Sequence, residues 1–597
     1  MRTSAHGAST PSLALALLIA LAGCGGGGNG ASFPADVTPP APDAPAAPEI
    51  ARLTPATPAT FNGSCENLLA QMTDVAAQTT ITLAATVPAG NVSGIATAEH
   101  CRLVGRMNQR VSPVDGNTYA IGFEVRAPKQ WNGRFFYQAN GGTDGSIGTA
   151  SGGIGGGGAT SSALSKGFAV LSSDAGHTGF TPYFGLDPQA RIDYGYNAVR
   201  QLTPMAKELL RRIYGKAPDR SYIGGCSNGG RHAFVAAARY GDQYDGVLAG
   251  NAGFNLPASA VAQLWGAQQF AGVATSTVTA TVPAAGGGTT TMAFPDITTA
   301  FTTTEMALVS NAVAARCDAL DGATDGSVND VAACQAAFSL TRDVPLCSGA
   351  RDGTCLTFAQ KSVLSNIFAG VRNAAGTPLY ATWPFDTGVR GSGWRQWKFT
   401  NAVTLSPGAT AFIFTVPPQT NTTTFSGLQY ALNFDVNVDG PKIYATNSTY
   451  TGASMSFMTP PNPSDLSTLK KRGAKMMVYH GVSDPTFSFN DTVAWYDNLD
   501  RANAGKAAEF ARLYAIPGMN HCSGGPATDQ FDMLDPLVAW VEQGVAPDSV
   551  LASARAANTE LPAGWSTSRT RPLCPWPKVA RYKGSGSLES ADSFSCQ

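Results

Sequence analysis

The chain has 597 residues, 43% hydrophobic and 9% aromatic, with 14% charged residues and a formal net charge of −1. This is the composition of a folded protein, long enough for one large domain with an insertion or for several domains. The balanced charge and the absence of a dense Lys/Arg block exclude an electrostatic footprint for nucleic acid.

At the N terminus, Arg2 precedes a short apolar run from Leu13 to Leu21, the pattern of an export signal and too short to cross a bilayer. Leu21-Ala22-Gly23-Cys24 resembles a lipoprotein signal, so residues 1–24 are expected to be a signal segment with Cys24 lipidated. That anchor is the one membrane attachment expected, on an exported protein that is outer-membrane, periplasmic or secreted. Residues 25–60 are rich in Gly, Pro and Ala and read as a flexible tether. Setting Cys24 aside leaves ten of the eleven cysteines, an even number with no CxxC, which favours disulfides over metal thiolates. Spacing does not fix their pairing. The expected set is Cys65 with Cys101, Cys226 with Cys522, Cys317 with Cys334, Cys347 with Cys355, and Cys574 with Cys596.

A folded domain is expected from near Cys65, and strands over Tyr119–Arg126, Arg134–Gln138 and Phe168–Ser173. A helix with Pro204 inside it is expected over Asn197–Tyr214, then an apolar strand ending near Cys226, and a further strand over Gly246–Gly250. Alternation of strands and helices predicts a largely parallel sheet covered on both faces. The rhythm stops after Asn255 and resumes at Ala474–His480, with a last strand over Ala511–Ile516 and a closing helix over Phe531–Val541. The expected architecture is an α/β-hydrolase domain over 61–254 and 469–597, with a lid inserted over 255–468.

Gly225-Cys226-Ser227-Asn228-Gly229 lies between the apolar strand and a helix-compatible run, the context of a nucleophile elbow with Ser227 exposed at its turn. The order Ser, acid, His then selects the partners. Of the six histidines, His6 lies in the signal, His100 is placed before the sheet strands, His177 lies upstream of Ser227, and His232 lies on the helix behind the elbow. His480 precedes the best acid, so His521 is the expected base and Asp484 the acid that orients it. Asp491 and Asp500 are expected on the following helix. The backbone N–H groups of Asn228 and Gly142 are the expected oxyanion donors. A bridge between Cys226 and Cys522 would make Ser227 and His521 neighbours. In the insertion, Asp318, Asp321 and Asp325, with the carbonyls of Ala323 and Ser327, suit a structural Ca²⁺ ion held by oxygen ligands; no EF-hand Glu closes the loop.

These residues resemble the tannase and feruloyl esterase family. The resemblance rests on Gly225-Cys226-Ser227-Asn228-Gly229-Gly230-Arg231, Tyr479-His480-Gly481-Val482-Ser483-Asp484, Pro517-Gly518-Met519-Asn520-His521-Cys522, and Arg571-Pro572-Leu573-Cys574-Pro575-Trp576-Pro577. It implies an α/β-hydrolase with a calcium-binding lid, a disulfide tying nucleophile to base, and hydrolysis of esters of aromatic acids of the feruloyl or galloyl type. It also assigns Trp397 and Phe487 to an aromatic acyl pocket. The chain departs from the pattern in having Asn228 where the family offers an acidic residue. A free substrate carboxylate, as in a terephthalate monoester, calls for a lid arginine, yet none occurs between Arg395 and Arg472. Lys398 would stand in for it only as a point charge, and poorly. The competing expectation is a surface lipoprotein that kept the hydrolase fold only to bind a ligand or partner.

Overall fold

The computed structural model describes residues 54–154, 160–284 and 287–597. The expected signal, Cys24 and the tether as far as residue 53 lie outside the described residues. The end of the expected tether is docked: Arg220 donates to the Thr54 carbonyl at 2.6 Å, Ala56 N–H donates to Glu542 at 3.0 Å, and Ala59–Thr60 pairs with Gln130–Trp131.

The core is a nine-stranded sheet built from β1 (Thr79–Val87), β2 (His100–Val111), β3 (Thr118–Pro128), β4 (Arg134–Gln138), β5 (Ala169–Ser173), β6 (Arg220–Cys226), β7 (Gly246–Gly250), β8 (Lys475–Gly481) and β9 (Ala511–Ile516). Its order is β9-β8-β7-β6-β4-β5-β3-β2-β1. From β9 to β5 every neighbouring pair is parallel, and β3, β2 and β1 extend the sheet in antiparallel fashion. The parallel strands are short apolar runs because helices cover both their faces. His100 does not precede the sheet: it opens β2, paired with Pro128 of β3. That strand and its outer neighbour β1 place Arg and Thr on their more exposed face, so their polarity hides them from a search for apolar runs. Helix α1 (Ala198–Tyr214) keeps Pro204 and stops at Gly215, whose φ of 75° gives the left-handed cap. Helix α2 (Asn228–Arg239) follows β6 directly.

Between Gly250 and Lys475 the described residues add no strand to this sheet. It forms a separate hairpin (Thr277–Pro283 with Thr289–Pro295) and helices such as α3 (Leu256–Ala271), α4 (Thr303–Cys317) and α5 (Phe358–Ala369). Capping boxes start the last two: Thr302 with Glu305, and Thr357 with Gln360. The closing helix α6 begins at Leu534 rather than at Phe531, which pairs with Ala552 in a small antiparallel sheet.

All five expected disulfides are formed. Cys226–Cys522 joins the end of β6 to the loop after β9, with Cα atoms 6.1 Å apart across a separation of 296 residues. In the chain-entropy account a loop of that length gains about 6 kcal/mol, against roughly 2–3 kcal/mol for a loop of ten residues or fewer. Replacing Cys226 and Cys522 together by Ser should therefore lower the urea midpoint clearly more than replacing Cys347 and Cys355, which close a separation of 8 residues. Equal shifts in urea titrations of the two double variants would contradict this ranking.

Candidate active site

The parallel strands end on one edge of the sheet, and each delivers a loop to the same place, the usual position of a site in such a sheet. Ser227 follows β6 at φ 66° and ψ −127°, a strained turn that lifts its hydroxyl clear of the backbone. The flanking glycines are required sterically. A Cβ on Gly225 or on Gly229 would lie 2.3 Å from the Ala139 carbonyl oxygen, and one on Gly230 would lie 2.4 Å from that of Gly250.

Ser227 Oγ lies 2.7 Å from His521 Nε2, and His521 Nδ1 lies 2.8 Å from Asp484 Oδ2. A proton on Nδ1 donated to the carboxylate leaves Nε2 free to accept from the serine hydroxyl. Asp484 is fully buried, which by itself would raise its carboxyl. The charges and hydrogen bonds of His521 and His480 outweigh that and hold it well below the usual carboxylate range. Its Oδ1 accepts from the N–H groups of Thr486 and Phe487 at 2.8 and 3.0 Å, and its Oδ2 from Asn251 Nδ2 at 2.7 Å. Asn251, just after β7, has no motif to announce it. His480 also faces this carboxylate, with Nε2 3.5 Å from Asp484 Oδ2, but its nearer partners are the Phe487 carbonyl at Nε2 and Thr492 at Nδ1, each at 2.9 Å. Asp491 and Asp500 lie on the helix Phe489–Ala502, as expected.

Gly141 packs beside the elbow: its Cβ position is 3.8 Å from that of Ser227. Gly142 follows with φ 64°, and Asn228 is the first residue of α2. A cavity brings Ser227, Gly142 and Asn228 together with Trp397, Phe487, Tyr194, Leu256, Gln263 and Phe414. The Trp397 and Phe487 rings stand edge-on to the His521 imidazole, with centroids 4.7 and 5.3 Å away. No ionised side chain lines this cavity among the described residues. Lys398 does not take the place of the missing lid arginine. It is 4% exposed, its Nζ sits 3.9 Å from the centroid of the Trp383 ring, and burial lowers it to about 7 despite the Asp484 charge. Tyr194, Gln263 and Phe414 reach the cavity through packing, which leaves no pattern in the chain.

Asp386, from the segment between β7 and β8, ties this segment to both loops. Its Oδ1 accepts from Ser483 Oγ beside the acid and from Gly518 N–H (2.9 Å) ahead of the base.

The acidic loop lies apart from the cavity, closed by Cys317–Cys334. Asp318 accepts from Gly326 N–H at 2.9 Å, and Asp321 accepts from Ala323 N–H at 2.9 Å and Asn329 Nδ2 at 2.7 Å. Burial raises both carboxyls, Asp321 to about 6, and the neighbouring charge of Asp325 adds to the rise. Oxygens are the donors a hard divalent cation takes, but arginines already meet this loop, Arg569 at the Asp325 carbonyl and Arg581 at the Leu320 carbonyl. As the side chains stand, no three acidic groups gather as a metal cluster among the described residues. The carboxylate of Asp325 is engaged by Arg571.

Comparison with known proteins gives the lineage. Residues 101–597 match the family model described as tannase and feruloyl esterase. A mono(2-hydroxyethyl) terephthalate hydrolase of Piscinibacter sakaiensis is 40% identical over 545 residues, 84% of this chain and 86% of that protein. A probable feruloyl esterase B-1 of Neosartorya fischeri is 26% identical, over 84% of this chain and 87% of its own. The crystal structure of feruloyl esterase B from Aspergillus oryzae superposes with a TM-score of 0.68 at 24% identity, over 89% of this chain and 99% of that one, a likeness of fold. With the fold and most of the length matched, the chain belongs to the tannase and feruloyl esterase family and is a carboxylic ester hydrolase.

Proposed function

We propose that this enzyme hydrolyses esters of uncharged aromatic acids, of the feruloyl or galloyl type, through an acyl-enzyme on Ser227. The observation that carries the reading is the continuous hydrogen-bonded chain from Ser227 through His521 to Asp484, opening into a cavity with aromatic walls and no ionised lining. Ser227 Oγ attacks the ester carbonyl as its proton passes to His521 Nε2. The N–H groups of Asn228 and Gly142 receive the oxyanion, and Asp484 stabilises the imidazolium. The imidazolium then protonates the departing alkoxide. Water, deprotonated by the same nitrogen, cleaves the acyl-enzyme and releases the acid.

The relative from Piscinibacter sakaiensis is named for a substrate with a free carboxylate. In the present cavity that carboxylate would lose water without gaining a charged partner. Products released from methyl ferulate, methyl gallate and mono(2-hydroxyethyl) terephthalate should rank the neutral esters above the monoester by roughly ten- to a hundredfold in kcat/KM, the worth of one charge-assisted hydrogen bond. The reverse ranking would overturn the neutral-pocket reading. Ser227→Ala should lower kcat on the order of 10⁶-fold while the protein stays folded; retained turnover would remove Ser227 from the mechanism.

We also propose that the loop holding Asp318, Asp321, Ala323, Asp325 and Ser327 binds a structural calcium ion, and that Cys24 anchors an exported protein by lipid. The raised carboxyls of Asp318 and Asp321 support the first proposal, and a cation there would release Asp325 from Arg571. Elemental analysis after mild dialysis should find about one calcium per chain, and chelation should lower the melting temperature. Metal-free protein with an unchanged melting temperature in chelator would remove the site.

A further inference from the structure

Behind the elbow lies a closed ring of buried hydrogen bonds. Asp144, 3% exposed, donates its backbone N–H to the Gly141 carbonyl at 3.2 Å and so fixes the peptide that carries Gly142 N–H. Its Oδ2 accepts from Asn228 Nδ2 at 2.7 Å and faces His232 Nε2 at 2.9 Å. Asn228 Oδ1 accepts from Arg231 Nε at 2.6 Å. Arg231 goes on to the carbonyls of Tyr194 and Gly195 at 2.9 and 2.7 Å. The Tyr194 hydroxyl closes the ring on the Gly142 carbonyl at 3.1 Å.

Every bond in this ring ends on one of two short stretches, Gly141–Asp144 or the start of α2, or on the helical turn that links them. Those stretches carry the two N–H groups assigned to the oxyanion. The ring is costly to build. Asp144 holds φ at 55°, a region that non-glycine residues seldom occupy, and its carboxyl is buried beside Arg231. Such strain at a buried polar residue marks a place where position is selected over stability.

We propose that Asp144 is a positioning residue that clamps the Gly142 and Asn228 amides at the spacing the oxyanion requires, through its backbone N–H on one side and its carboxylate on the other. The proposal rests on the serine-esterase reading above. A donor displaced by about 1 Å loses on the order of 10²-fold in rate, because its energy is realised only when the oxyanion forms. The loss therefore falls on kcat and leaves substrate binding alone. Tyr194 and Arg231 complete the clamp, holding the Gly142 carbonyl and Asn228 Oδ1.

The test compares wild type, Asp144→Ala, Asp144→Asn and Asn228→Ala on a p-nitrophenyl ester. Inhibition is measured with two probes, an arylboronic acid and the matching aryl carboxylic acid. The boronic acid forms a tetrahedral adduct on Ser227 that places an oxygen in the oxyanion position, and the carboxylic acid reports the acyl cavity alone. Asp144→Ala should lose about 10²-fold in kcat and a similar factor in boronic-acid affinity, with KM and carboxylic-acid affinity within about twofold of wild type. Asp144→Asn, which keeps the shape and an acceptor, should recover most of the loss. Asn228→Ala keeps its amide but loses its tether, and should show the same pattern more weakly. Should Asp144→Ala fail to fold, Asp144→Asn and Asn228→Ala decide alone: wild-type boronic-acid affinity in Asn228→Ala overturns the clamp. Parallel losses in kcat, KM and carboxylic-acid affinity would also overturn it, since they mark general damage. Wild type without Ser227-dependent hydrolysis or a boronate adduct would refute the serine-esterase reading, and the clamp with it. Hydrolysis and adduct in wild type with an unaffected Asp144→Ala would refute the clamp only.

Discussion

The covalent bond between Cys226 and Cys522 is the constraint on which the site depends. It joins the residue before Ser227 to the residue after His521, two points 296 residues apart in the chain. The two side chains it flanks meet at 2.7 Å. The sheet brings the same ends together independently, because β6 and β9 deliver their loops to one edge through parallel neighbours. The bridge then removes the freedom that two facing loops would otherwise keep. A hydroxyl–imidazole contact tolerates little misplacement, so a covalent tie one residue away from each partner is a direct means of holding it.

Around that tie the polar groups are satisfied by elements distant in sequence. Asp484 takes hydrogen bonds from its own loop, from Asn251 after β7 and from His521 after β9. Asp386 reaches in from the long segment between β7 and β8 to hold both the acid and base loops. The aromatic wall comes partly from that segment as well, with Trp397 standing against the imidazole edge. Loss of packing in this segment would therefore loosen the acid and base loops together with the acyl cavity. The cavity's neutrality follows from where the cations went: Lys398 is buried on Trp383, and Arg395 donates to the carbonyls of Phe301 and Thr298.

The parts legible in the sequence were those written locally. Gly225, Ser227 and Gly229 are dictated by a turn with no room for a Cβ, and cysteines beside Ser227 and His521 link two distant motifs. Strands β4, β7 and β9 are short apolar runs between turn residues and were read with correct ends. Strands β1 and β2 were missed because one face of this antiparallel end of the sheet is partly exposed, and there Thr and Arg alternate with apolar residues. That omission put His100 outside the sheet. Lys398, at best a poor stand-in for the arginine, misses the cavity for a different reason. Its charge was visible, but the direction of its side chain depends on Trp383, a residue no periodicity connects to it. Tyr194, Phe414 and Asn251 belong to the same class, placed by tertiary packing and silent in the chain.

The most direct test of the account is active-site titration of the oxidised protein with an aryl fluorophosphonate, read by intact mass and peptide mapping. The account predicts one adduct per chain, on Ser227, in a peptide still linked through Cys226 to Cys522. The absence of an adduct, or an adduct on another residue, would contradict it.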